Sequence, residues 1–226
     1  MKAGWIADAT CAVLVLGMFL YGALAWPNAP DRFPMHWNLH GEVDRWGGRF
    51  EGLFVLPLIA LATSLLLRFL PRVDPGRANY DNFAGAWATM RVTVAAILTV
   101  VYGIVQVAAR GRAIEVRTVM PLAIGALFVV LGNLLGKLRP NWFFGIRTPW
   151  TLSSAESWNR THRAGGWVFI GLGLLMIVSG LLAPGRSILI VVALVLLATF
   201  GLAVYSYVVW RRDPDKVPPA GRTAAP

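Results

Sequence analysis

Two stretches of this 226-residue chain hold the side chains that could do chemistry. The first, between Pro27 and Phe50, carries His36, Asn38, His40, Gly41, Glu42 and Asp44 within a few positions of one another. His36, His40 and Asp44 recur at every fourth position. On a continuous helix that would set two imidazoles and a carboxylate on one face, a candidate metal set to which Glu42 and Asn38 would add oxygens. Gly41, Gly47-Gly48 and the flanking prolines are turn signals, and the spacing matches no established metal motif. The alternative is a turn-rich cap with Trp37 and Trp46 at headgroup level and with Arg45 and Arg49 paired to Glu42, Asp44 or Glu51. The remaining reading makes this loop a binding surface.

The second stretch, Lys137 to Gly166, contains Asn141, Gly145, Arg147, Thr148, Trp158 and His162. Ser153 and Glu156 have capping-box spacing, which predicts a short helix from Ser154 that stops at Gly165-Gly166 and lies amphipathically at the interface. On it Glu156 and Arg160 make an i, i+4 pair, and Trp158 shares a face with His162. Gly145-Ile146 before Arg147 and Thr148-Pro149 after it should hold the guanidinium in place. It would then grip Glu156 or a lipid phosphate through two parallel hydrogen bonds. Two readings stay open: headgroup contact by Arg147 and His162, or a polar site under the bundle formed by Asn141, Arg147, Thr148, Glu156 and His162. Ser153, Ser154 and His162 show no nucleophile-elbow pattern and no orienting acid, so no catalytic residues and no enzyme are expected.

The elements that must position these loops are membrane spans. Hydrophobic residues make up 57% of the chain and charged ones 14%, and the mean hydropathy is +0.60. Six uncharged or nearly uncharged runs are long enough to cross a hydrocarbon core of about 30 Å. They are Ala9 to Trp26, Leu53 to Leu70, Val92 to Ala109, Thr118 to Gly136, Trp167 to Ala183 and Ser187 to Trp210. The fold class is therefore all-α: a polytopic membrane protein with about six helices in one bundle and a short interfacial helix in its longest loop. Ala23-Leu24-Ala25 resembles a signal-peptidase site, but the head is weakly basic and the run long, so the first helix is expected to be retained. Arg68 should snorkel, Asp8 should meet water, and Asn133, within Gly132-x-x-x-Gly136, should bond a neighbouring helix. Pro184-Gly185-Arg186 predicts a tight hairpin between the last two spans, and 213–226, rich in Pro and Ala, a disordered tail.

Charge gives the orientation. With Arg91 set aside at a helix entrance, thirteen Lys and Arg fall on the side of the termini and seven on the other. The positive-inside rule then makes both termini cytoplasmic. The net charge of +10 is explained by these flanking residues and their anionic lipid partners, not by nucleic acid. Cys11 is the only cysteine, so no intramolecular disulfide is possible.

Asn141-x-x-x-Gly145-Ile146-Arg147-Thr148-Pro149-Trp150-Thr151-Leu152, followed by Glu156-x-Trp158-x-x-Thr161-His162-Arg163-x-Gly165-Gly166, resembles the signature of the SdpI family of bacterial immunity proteins. Phe33-Pro34-x-His36-Trp37-Asn38-x-x-Gly41-Glu42-Val43-Asp44 is similar to a domain of unknown function that often precedes it. The resemblance divides the chain into an N-terminal membrane region (1–110), an SdpI-like region (111–212) and the tail (213–226). It implies a multi-pass protein of the bacterial plasma membrane, without cofactor, that protects its cell from a secreted membrane-active toxin. A cytoplasmic repressor is a further partner in the best-known member. The toxin-facing residues would be His36, Asn38, Gly41, Glu42 and Asp44, and the cytoplasmic ones Asn141, Gly145, Arg147, Thr148, Trp158 and His162. A small transporter or exporter joining the two loops, and a metal-dependent membrane enzyme using His36, His40, Asp44 or Glu42, are the competing functions.

Overall fold

The computed structural model describes residues 2–184 and 188–217. Six long helices dominate: α1 (Lys2–Ala25), α2 (Leu56–Val73), α3 (Ala84–Ala109), α4 (Val116–Leu135), α6 (Ala155–Leu182) and α7 (Ile188–Arg212), with a single turn, α5 (Pro149–Leu152), between α4 and α6. All six long helices have the length and apolarity of membrane spans. Leu16, Leu20, Leu66 and Phe200 remain 61% to 71% exposed, an apolar outer surface suited to lipid contact. The chain is a polytopic all-α membrane protein with one addition, an antiparallel hairpin of β1 (Phe33–Trp37) and β2 (Val43–Gly47) after α1.

The N-terminal half packs α1 and α2 against α3. Its polar groups answer one another inside the bundle. Pro57 has no N–H to return to the π turn at Glu51–Val55 that precedes it. The exposed carbonyls of Gly52 and Leu53 are met from α3 instead, by Gln106 Nε2 at 2.7 Å and by the Tyr102 hydroxyl at 3.2 Å. Asp8, expected to meet water, ion-pairs with both Arg68 of α2 and Arg91 of α3. Arg91 is therefore a buried partner in a three-helix charge cluster, and Arg68 is half-exposed with one end tied inward.

The C-terminal half is built on α4 against α6, with α7 laid on α6. A Cβ on Gly125 or Gly132 would stand 2.6 Å from the carbonyl oxygen of Gly173 or Gly166, so the two backbones touch where no side chain intervenes. Without a hydrophobic driving force between helices in lipid, such close backbone packing is what joins spans. Asn133 faces outward and is exposed, so the expected amide bond is not what closes this pair. Gly165 and Gly166 do not end a helix either. Gly166 leaves room for the approach of α4 and Gly165 for the Ile146 side chain, and α6 runs through them as one rod from Ala155 to Leu182. The segment expected as a separate interfacial helix is the first part of the fifth span. The proposed hairpin at Pro184-Gly185-Arg186 lies largely outside the described residues, as does 218–226 of the tail. Residues 213–217 are not loose: Asp213 is buried and the Val217 amide donates to the Ser153 carbonyl at 2.9 Å.

Candidate functional site

The two chemistry-bearing loops stand at opposite ends of the bundle. At one end the β hairpin pairs His36 with Arg45 in register, and a bulge there brings the Asp44 carboxylate to the imidazole, with Oδ1 2.5 Å from His36 Nδ1. Asn38 organises the turn. Its Oδ1 accepts the His40 and Glu42 amides at 2.8 and 3.0 Å, and its Nδ2 donates to Glu42 Oε2 at 3.0 Å. Gly41 closes the turn at φ +80, a conformation that favours glycine. Arg45 pairs with Glu51, as one expected option had it, and Arg49 pairs with Asp31.

The metal spacing is not realised. The hairpin brings Asp44 to His36 and leaves His40 in the turn, and no group of three His, Cys, Asp or Glu placed to hold a metal ion forms among the described residues. The hairpin is seated by Phe33, fully buried over Gly52, where a Cβ would come within 2.1 Å of the ring. Its exposed edge is thus held on a fixed base.

At the other end the loop between α4 and α6 folds into a buried polar knot. Asn141 is 2% exposed; its Oδ1 accepts the Phe143 and Phe144 amides at 3.1 and 2.6 Å, which turns the chain toward Gly145. Gly145 adopts φ +99, and a Cβ there would meet His162 Nε2 at 2.1 Å. Nε2 accepts the Ile146 amide at 2.9 Å, and Nδ1–H donates to the Trp158 carbonyl at 2.8 Å. The partners select one neutral tautomer, because a second proton on Nε2 would displace the Ile146 bond. Trp158 stacks on this imidazole with ring centres 4.0 Å apart and donates Nε1–H to the Leu138 carbonyl. The shared face of Trp158 and His162 is as expected, but it points into the protein and not toward headgroups.

Thr148 caps α5, exchanging hydrogen bonds with Thr151, and its hydroxyl shares one with Ser206 of α7 at 2.9 Å. The cap of α6 is Ser154, one residue beyond Ser153, and its hydroxyl donates to Asp213 Oδ2 at 2.5 Å while accepting the Ser157 amide. The Ser154 hydroxyl and the Asp215 amide hold the Asp213 carboxyl below its ordinary range. Arg147 does not grip Glu156. Its Nη1 donates to the Trp142 carbonyl at 2.5 Å, and Glu156 is paired with Arg160, the expected i, i+4 partner. Of the six predicted residues, Asn141, Gly145, Trp158 and His162 therefore meet in one knot, Thr148 braces it against α7, and Arg147 stays exposed at its edge.

Sequence reasoning missed what couples this knot to the N-terminal half. Asp74, 2% exposed, accepts the Gly76 amide at 2.6 Å, the Tyr80 hydroxyl at 2.8 Å and the Trp142 amide at 3.2 Å. Asn79 Nδ2 donates to the Pro140 carbonyl at 2.7 Å. The Asp74-Pro75-Gly76 turn signal marks such a residue, since an aspartate before Pro-Gly bonds its own backbone two residues on.

This geometry agrees with what the chain is similar to. The model of the SdpI/YfhL protein family matches residues 137–206, which begin at the knot and end at the serine that braces it. Residues 137–206 are thus similar to the SdpI/YfhL family. A domain of unknown function (DUF1648) matches residues 13–61, which include the whole hairpin. Across both, the chain is 22% identical over 195 residues to Immunity protein SdpI of Bacillus subtilis (strain 168), covering 86% of this chain and 91% of that one. No solved structure matches the chain. The segment matched by the SdpI/YfhL model contains the knot, α6 and most of α7. Asp74 and Tyr80, which bond to it, lie outside both matched segments.

Proposed function

We propose that this protein is a non-enzymatic immunity protein that shields a bacterial cell from a secreted membrane-active toxin, with the hairpin facing outward and the knot and both termini in the cytoplasm. The similarity to Immunity protein SdpI across both halves, 86% of the chain, carries the reading. The thirteen-to-seven distribution of Lys and Arg supports the orientation. On this reading His36, Asn38, Glu42 and Asp44 offer the toxin a polar surface held rigid by Phe33. Asn141, Gly145, Thr148, Trp158 and His162 keep the cytoplasmic end in one shape, on which a regulator could dock. His162, with both ring nitrogens engaged in backbone bonds, has no free nitrogen for acid–base chemistry, which favours binding over catalysis.

Survival tests the function. Cells expressing the protein, challenged with toxins secreted by neighbouring strains, should outlive cells without it, and equal killing at confirmed membrane abundance refutes protection. Single cysteines test orientation on a Cys11→Ser background. Leu39 and Ala155 are both exposed. Leu39→Cys should react with an impermeant reagent in intact cells and Ala155→Cys only after lysis; the reverse inverts the topology.

A further inference from the structure

Beside the knot, the end of α4 and the first turns of α6 enclose a cavity of about 380 Å³ lined by Gly136, Arg139, Glu156, Asn159, Arg160 and Arg163. Three guanidinium groups face one carboxylate. Glu156 is committed to Arg160 Nε at 2.5 Å, whereas Arg139 and Arg163 have no ion pair among the described residues. The cavity is therefore a cationic hollow with two uncommitted forks.

Its depth selects the anion. The uncharged stretch Ala164–Leu182 rises roughly 28 Å at 1.5 Å per residue, close to the thickness of a bilayer's hydrocarbon core. Arg163 then stands at the hydrocarbon edge and Arg160 nearly one turn beyond it, where lipid phosphates lie. Gly136, at the end of the uncharged run Thr118–Gly136, brings the neighbouring helix to the same level and leaves the floor open, since a Cβ there would meet only Arg163 Cα, at 3.9 Å. Arginine presents parallel N–H donors that match phosphate oxygens. We propose that this hollow binds the phosphate of one anionic phospholipid, wedged between α4 and α6. A segment of an acidic protein would have to descend to the hydrocarbon edge to reach the same donors, whereas a lipid phosphate already sits there. The site does not depend on which way the chain is inserted, nor on the toxin.

Native mass spectrometry of the full chain in mild detergent, with phosphatidylglycerol and phosphatidylcholine added equally, tests this. The wild type should retain one phosphatidylglycerol in preference. Arg139→Gln with Arg163→Gln should reduce that preference by about five-fold for each arginine removed. Both side chains are exposed, so the variant should fold, and unchanged stability in detergent would verify it. Arg139→Lys with Arg163→Lys should keep most of the preference, and Arg72→Gln with Arg77→Gln, at the same end but outside the hollow, should keep all of it. Equal retention of the two lipids by the wild type, or equal losses in the hollow and control pairs, overturns the site. Displacement of the lipid by inorganic phosphate or by polyglutamate would reassign it to a soluble anion or an acidic polypeptide, and likewise overturn the lipid.

Discussion

His162 Nε2 accepts the amide proton of Ile146 at 2.9 Å, from a residue sixteen positions earlier in the chain. A buried ring that serves a backbone amide is a strut, and its removal should be felt as lost stability before any loss of binding. His162→Phe preserves the ring that stacks on Trp158 but strands the Ile146 N–H, at a cost of roughly 1–3 kcal/mol. A lower thermal midpoint in detergent is expected, and an unchanged midpoint would show that water replaces the imidazole. Gly145→Ala should be at least as damaging, because it combines a disfavoured φ with a collision against the same ring.

Arg147 should tolerate lysine. Its partner is a single carbonyl, that of Trp142, so one N–H is enough and the two-pronged grip that only arginine offers is not in use. Arg147→Lys is expected to keep full protection, while Arg147→Ala loses one hydrogen bond worth about 0.5–1.5 kcal/mol. A large defect in the lysine variant, at matched membrane abundance, would mean that Arg147 meets a phosphate or carboxylate from outside the chain.

Asp8→Asn should be the most destabilising single change in the N-terminal half. It leaves the buried Arg91 and the half-exposed Arg68 facing each other without a counter-charge, and breaking a buried pair in this way costs about 3–5 kcal/mol. Arg91→Gln added to Asp8→Asn should recover part of the loss, because the stranded charge is the penalty. Denaturation of the two variants in detergent checks this; additive effects would show that the residues act independently.

Docking of residues 213–217 should depend on acid. The Asp213 carboxyl is held below its ordinary value near 3.8 by the Ser154 hydroxyl and the Asp215 amide, so its contribution is complete above that value and is lost as pH falls through the lower folded one. Amide exchange at Val217, corrected for intrinsic pH dependence, should stay slow near neutrality and speed up below pH of about 3.8. Asp213→Asn should speed it at neutral pH too. Slow exchange in that variant would assign the docking to the backbone alone.

Asp44→Ala in the hairpin separates recognition from folding. The His36–Asp44 pair is solvent-exposed and so worth about 1 kcal/mol at most. The variant should reach the membrane at wild-type abundance, and its protection against toxin should fall if the hairpin is the contact surface. Full protection would move the contact elsewhere.

The spans were legible in the sequence because a bilayer imposes a rule on composition alone: about twenty uncharged apolar residues cross it, whatever they pack against. Local hydrogen bonding was legible for a similar reason. The Glu156–Arg160 pair and the shared face of Trp158 and His162 follow from helical spacing, which acts over a few residues. What the sequence could not decide was where side chains point once helices meet. His36, His40 and Asp44 have the spacing of one helical face, yet a hairpin brings the last to the first, because Phe33 finds a glycine floor on a later turn. Asp8, Arg68 and Arg91 looked like three unrelated residues near helix ends, and only the packing of α1, α2 and α3 makes them one cluster. Asp74 and Trp142 lie far apart in sequence, yet the Trp142 amide donates to both oxygens of the Asp74 carboxylate. Long-range contacts of this kind depend on which backbones can approach one another. In this chain Gly132 against Gly166 and Gly125 against Gly173 set that approach, and the buried polar knot forms where it leaves room.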